Sequence, residues 1–151
     1  MGLDMYLSAK VDLGKYCNDK VKGKDKEIRK ILPEMFKSGN LDSIDIKFEV
    51  GYWRKANHIH EWFVKNVQDG KDECQNSYVS RDDLIKLKEL CEGILLDKKR
   101  AKKEMPTQEG FFFGGTKYDK YYFDGLRETI KIINKCLKLP EYWEFEYHSS
   151  W

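Results

Sequence analysis

Two stretches of the chain concentrate the side chains that could do chemistry. The first runs Tyr52-Trp53-Arg54-Lys55-Ala56-Asn57-His58-Ile59-His60-Glu61-Trp62-Phe63. Read as a helix, it brings Trp53, Asn57 and His60 together, and likewise Arg54, His58 and Glu61, because residues three and four apart are neighbours on a helical surface. That surface offers a ring for stacking, a guanidinium for phosphate and an amide for a base edge. It offers no zinc site. His58 and His60 are two apart, so on a helix they point about 200° away from each other, and the H-E-x-x-H order is absent.

The second stretch runs from Pro106 to Phe123. Seven of the thirteen residues from Phe111 to Phe123 are aromatic, too many for all of them to face a core. Gly114-Gly115-Thr116 would let backbone approach a ligand closely ahead of a helix start. It resembles a phosphate-cradling turn only loosely, since neither G-x-x-x-x-G-K-[ST] nor G-x-G-x-x-G occurs. The plainer expectation is a tight, aromatic-anchored turn capped by Thr116 or Asp119. If the two stretches form one site, Trp53, Arg54, Asn57 and His60 line one wall. Gln108, Gly114, Thr116, Tyr118 and Tyr122 stand opposite, with Asp4 and Tyr6 contributing from the outward face of the first strand.

Catalysis has little support. There is no G-x-S-x-G, no cysteine beside a base, and no spacing that singles out a pair of acids. No residue is assigned a catalytic role, and no metal or cofactor is expected. An enzyme acting on nucleotides or phosphodiesters would have to use His58 or His60 as general base, with Arg54 on the phosphate.

These residues need elements to hold them. Leu3, Met5, Leu7, Ala9 and Val11 alternate with polar residues, and so do Ile44, Ile46, Phe48 and Val50. Trp143, Phe145 and Tyr147 do the same near the end of the chain. Each run predicts a strand with one apolar face. A short strand is expected at Ser77-Tyr78-Val79. Helical spacing joins Ile28, Ile31, Leu32, Met35 and Phe36, broken by Pro33 and stopped at Ser38-Gly39-Asn40. A second helix is expected to begin around Gly51 to Arg54, bury Ala56, Ile59, Phe63 and Val67, and stop at Asp69-Gly70. A third starts at Ser80-Arg81-Asp82-Asp83 as a capping box and buries Leu84, Leu87, Cys91 and Ile94. The basic run Lys98 to Lys103 reads as its solvated, dipole-complementing end, with a partner-binding patch as the alternative. The last helix carries Phe123, Leu126, Ile130, Ile133 and Leu137. The expected fold is α+β: a small antiparallel or mixed sheet, in one domain over residues 1–151, with amphipathic helices packed on one face.

Composition narrows the classes further. Hydrophobic residues are 40% and charged residues 36% of 151, which suits a folded core under a solvated surface. A net charge of +2 predicts no bulk nucleic-acid binding. No apolar run approaches the roughly 20 residues needed to cross a bilayer. A strand-like alternation begins too early for a signal peptide, and Tyr6 spoils the myristoylation pattern that Met1-Gly2 suggests. A cytoplasmic protein is expected. Cys17, Cys74, Cys91 and Cys136 show no C-x-x-C spacing and read as free thiols.

Taken together, Met1-Gly2-Leu3-Asp4-Met5-Tyr6-Leu7, Tyr52-Trp53-Arg54-Lys55-Ala56-Asn57 with His60, Gly110-Phe111-Phe112-Phe113-Gly114 through Tyr122, and Ser149-Ser150-Trp151 are similar to an uncharacterised family of small bacteriophage and prophage proteins. The resemblance spans both ends and the middle of the chain; residues 14–42 and 68–76 carry none of it. It implies an accessory protein acting on the host bacterium, often against its defences, from within the host cytoplasm. Such proteins either sequester a nucleotide-derived signal without transforming it or inhibit a host protein directly. The first reading makes the partner a small nucleotide-like ligand. The second makes it a host defence factor, met by the same Tyr, Trp and Arg residues that interfaces favour. A homodimer that joins aromatic surfaces into a deeper pocket is compatible with either.

Overall fold

Period-two alternation buries one face of a strand, and the segment after Leu3 shows it. In the computed structural model, which describes residues 2–14, 17–37, 44–110 and 113–151, β1 (Asp4–Asp12) buries Met5, Leu7, Ala9 and Val11. The helix stop at Ser38-Gly39-Asn40 and the rings of Phe111 and Phe112 lie outside the described residues. Three more strands follow: β2 (Asp45–Arg54), β3 (Ser77–Val79) and β4 (Glu144–Ser150). They pair antiparallel in the order β2-β1-β4-β3, with the first and last runs of the chain side by side at the centre. On β4, Phe145, Tyr147 and Ser149 face inward.

The pairing of β1 with β2 slips by one residue. Leu7 stands opposite Gly51 but Ser8 opposite Glu49, so β2 carries one residue more at Val50. A single extra residue exchanges the faces of everything beyond it. The inward partners of Val11 and Ala9 are Ile46 and Phe48, whereas those of Leu7 and Met5 are Gly51 and Trp53. This is why an alternation set by Ile44, Ile46 and Phe48 does not reveal that the strand continues to Arg54. Gly51 sits beneath the last helix: a Cβ there would lie 2.5 Å from Ile132 Cγ2. Gly51→Ala is expected to overpack this contact and cost about 1–3 kcal/mol of stability, measured by urea unfolding.

Among the described residues five α-helices accompany the sheet: α1 (Asp25–Ile31), α2 (Asn57–Val67), α3 (Arg81–Leu96), α4 (Ala101–Glu104) and α5 (Lys120–Cys136). Pro33 splits the first helical run into α1 and a 3-10 turn, Pro33–Phe36, neither of which buries a residue. α3 packs on α5, and Leu84, Leu87, Cys91 and Ile94 join Leu126, Ile133 and Cys136 in the core above the sheet. Ser80 opens α3 with the expected capping box to Asp83. α2 ends through Asp69 and Gly70, both at positive φ. The architecture is therefore α+β, with apolar helix faces on one side of an antiparallel sheet.

The basic run departs from expectation. α3 ends at Leu96 with no basic residue in its last turn, and Asp97 caps a separate 3-10 turn, Lys98–Arg100. These charges therefore follow the end of α3 rather than lie in its last turn, and the Arg100 guanidinium packs beside Gly93 of α3. Arg100 forms two hydrogen bonds to the Glu104 carboxylate, while Lys98 and Lys102 lie over the Phe123 and Tyr118 rings.

Candidate functional site

The junction between β2 and α2 builds one side of the site. β2 runs through Trp53 and Arg54, and the chain then turns at Lys55, whose φ is 56°. The Lys55 N–H donates to Leu3 O at 2.7 Å and fixes that turn against the start of β1. α2 begins only at Asn57, so the helical neighbours expected for Trp53 with Asn57, and for Arg54 with His58, do not form. Trp53 points inward as the register dictates, and its Nε1–H donates to Thr129 Oγ1 at 2.9 Å. Ala56 stands at the N-cap of α2 and supplies no side-chain cap.

The segment between α4 and α5 builds the other side, and Asn57 holds it. This side chain is 1% exposed. Its Nδ2 donates to Phe113 O and Gly115 O, both at 3.0 Å, and its Oδ1 accepts from the Gln108 N–H at 3.0 Å. Gly114 has φ of 94°, and a Cβ there would lie 2.8 Å from Lys55 O, so the loop can press against the β2–α2 turn only with glycine at this position. Asp119 caps α5, its carboxylate accepting from the N–H groups of Tyr121 and Tyr122. That helix start is therefore already satisfied by a carboxylate.

Between these two sides lies a cleft of about 590 Å³, within the usual range for a small-molecule site. Four of the sequence-selected residues line it: Trp53, Arg54, Gly114 and Tyr122. The structure gives the others different surroundings. Asn57 clamps the loop, and Gln108 contributes a backbone N–H to that clamp. Thr116 offers its carbonyl to the Thr107 hydroxyl, and the Tyr118 hydroxyl accepts from the Thr107 N–H. His60 is buried, with Nε2 3.0 Å from Asp72 Oδ2 and Nδ1 sharing a 2.8 Å hydrogen bond with the Tyr147 hydroxyl. Trp151 Nε1–H donates to the same Asp72 at 3.2 Å. Asp4 and Tyr6 lie on the outward sheet face, where Asp4 accepts from the Tyr52 hydroxyl and Tyr6 stacks near His148.

Several lining residues were not picked out from the sequence. Lys55 and Lys117 stand on the two sides of the cleft with no carboxylate partner among the described residues. Tyr121, Asp124, Gly125 and Glu128 come from one face of α5, and their spacing of three and four was a usable signal once a helix was drawn from Lys120. Tyr121 is 85% exposed at the rim. The lining carries both signs of charge: Arg54 and Lys55 from the end of β2 and its turn, Lys117 from the segment before α5, and Asp124 and Glu128 from α5. Asp124 pairs with Arg127 at 2.8 Å and Glu128 with Lys131 at 3.6 Å.

His58 lies in the floor of the cleft. It is 5% exposed, its ring centroid is 4.1 Å from that of Tyr122, and its Nε2 has no hydrogen-bond partner among the described residues. Burial pushes its pKa down to about 3, because a charged imidazole would lose its hydration there. The imidazole is thus neutral at ordinary pH and a feeble proton acceptor. Both nitrogens of His60 are already engaged. Burial also pushes the Cys91 thiol up to about 12 and the Cys136 thiol up to about 11, which leaves neither as a ready thiolate. Among the described residues no cluster of His, Cys, Asp and Glu could hold a metal ion, and no helix is long and apolar enough to cross a membrane. The arrangement can hold a ligand by stacking, ion pairing and hydrogen bonding. Compared with protein-family models, curated proteins and solved structures, the chain finds no match in any of the three.

Proposed function

We propose that this protein binds and sequesters a small nucleotide-derived ligand in the cleft without transforming it, as an accessory protein of phage origin that withholds a signal from the defences of its host bacterium. The observation that carries this reading is the start of α2. It opens into the cleft wall without a capping side chain, between Arg54, Lys55 and, across the gap, Lys117. An uncapped helix start flanked by Lys55 and Lys117, neither with a carboxylate partner among the described residues, and by Arg54, which lies 3.8 Å from Asp4, favours a phosphate. Tyr52 and Tyr121 at the rim offer faces for a base. The weak basicity of His58 and the full engagement of His60 speak for holding over turnover.

The test is calorimetric titration with the four 5′-ribonucleoside monophosphates. The double variant Lys55→Glu/Lys117→Glu is expected to bind the tightest of them about 100-fold more weakly, the loss of two charge-assisted contacts. Undiminished affinity would place the phosphate elsewhere and remove the main support for this reading. A second reading, inhibition of a host protein, draws on the outward sheet face. There Tyr6, Tyr52 and His148 form an aromatic group, with Tyr52 exposed. A host factor that co-purifies with the protein, and is lost in Tyr6→Ala/Tyr52→Ala, would favour it.

A further inference from the structure

β2 is an open edge of the sheet. Among the described residues no strand pairs with its far side, since the order is β2-β1-β4-β3. The other edge, β3, has only three residues, and shortness is a usual way of keeping an edge harmless. β2 has ten residues and no proline. Its first five are all exposed. Two of them are apolar, Ile46 at 39% and Phe48 at 43%, on the face that the helices cover elsewhere. Unpaired N–H and C=O groups beside exposed apolar side chains make a template for another strand.

The register fixes which backbone groups are unpaired. The Leu13 N–H donates to Ile44 O at 2.7 Å, so Ile44 turns its polar groups toward β1. Successive residues of a strand turn theirs to opposite sides. Ile46 and Phe48 therefore follow Ile44, whereas Asp45 and Lys47 aim their N–H and C=O groups away from the sheet. The side chains of Asp45 and Lys47 lie on the open face, Asp45 3.1 Å from Lys10 and Lys47 paired with Glu146. The extra residue at Val50 ends this regular stretch.

We propose that a second copy of this chain pairs antiparallel with β2, about a two-fold axis at Ile46, and joins the two sheets into one. This register sets Asp45 opposite Lys47 of the other copy, twice, and Ile46 against Ile46, with Ile44 against Phe48. The row of charges then continues across the axis with alternating sign, as Glu146 and Lys47 of one copy meet Asp45 and Lys10 of the other. Opposite charges facing each other across strands stabilise a pair, and like charges oppose it. An axis at Lys47 would set Lys47 against Lys47 and Asp45 against Glu49. An axis at Phe48 would draw the bulge at Val50 into the ladder. The stretch from Ile44 to Phe48 is thus complementary to itself in one register, which is what a symmetric interface requires. The cleft takes its β2 residues from Tyr52 onward, beyond the bulge, so the pairing uses none of them.

Sedimentation of the purified protein at rising concentration is expected to reach twice the mass of one chain. Residues that face each other without exchanging hydrogen bonds have Cα atoms about 4.5 Å apart, within reach of a disulfide. Ile46→Cys should therefore give a covalent dimer when oxidised glutathione is added. Wild type treated in the same way shows what Cys17 and Cys74 link by themselves. Phe48→Cys faces Ile44 and should not link. Lys47→Pro removes an N–H that points away from β1, a position where an edge strand tolerates proline. It should leave the circular dichroism spectrum unchanged and the protein monomeric. Three results would each overturn the proposal: a wild-type protein that stays monomeric at every concentration, a dimer that survives Lys47→Pro, or a covalent link in Phe48→Cys and not in Ile46→Cys.

Discussion

Lowering the pH from 7 to 5 is expected to cost the folded protein about 2 kcal/mol through His58 alone, at about 1.4 kcal/mol per pH unit below the ordinary histidine value. The ordinary value is 6.5, and burial brings it to about 3 in the fold. As pH falls through 6.5 the unfolded chain takes up a proton that the folded one refuses. The unfolded state then binds more protons, and stability drops with every further step down to about pH 3. Carried over that whole window, the loss is roughly 4–5 kcal/mol, a large part of the stability of a domain this size. Urea unfolding at pH 7 and pH 5 measures it, with His58→Phe as the reference that keeps a ring against Tyr122. Carboxylates and the other two histidines contribute equally to both proteins, so the difference between the two pH slopes isolates His58. Equal slopes would mean that His58 is solvated in the fold, and the dry floor of the cleft would be wrong.

Asn57→Ala should be the next most damaging change, at about 3 kcal/mol for three hydrogen bonds lost from a buried position. The side chain makes the hydrogen bonds by which α2 grips Gln108, Phe113 and Gly115, beside the edge-on packing of the His60 ring on Phe113. Asn57→Asp should not rescue it, since a carboxylate keeps the acceptor for the Gln108 N–H but sets a negative oxygen against two carbonyls. Chemical unfolding gives the cost, and titration with a mononucleotide shows whether the cleft survives. A variant within about 0.5 kcal/mol of wild type would mean that the loop is held by other contacts, such as the seating of Gly114 on Lys55.

The sequence made the core easy to read and the site hard, for reasons that can be named. Leu3 to Val11, Phe145 to Tyr147 and the Leu84–Ile94 stripe have the simple periods of one-sided elements, and the structure buries them accordingly. Pro33 and Ser80 marked a break and a cap through local geometry alone. The site depends on what local pattern does not carry. The extra residue at Val50 exchanges the faces of β2, so Trp53 and Arg54 are strand residues where a helix pattern was visible. Asn57 and His60 have the chemistry of ligand contacts, but their partners are 12 to 87 positions away along the chain. A polar side chain that will be satisfied internally looks the same in sequence as one kept free for a ligand. Lys55 and Lys117 are ordinary lysines until the fold brings them to one gap, whereas Gly125, a glycine inside a strong helix pattern, was a signal that could have been used.

The most direct test of the central claim is to incubate the purified protein with small molecules from a bacterial lysate, wash it, denature it by heat and analyse the released fraction by mass spectrometry. Sequestration predicts one nucleotide-derived compound, intact and close to one per binding site, that is absent when Lys55→Glu/Lys117→Glu is treated in the same way. Release of a cleaved nucleotide, or of the same compound in equal amount from that variant, would contradict it.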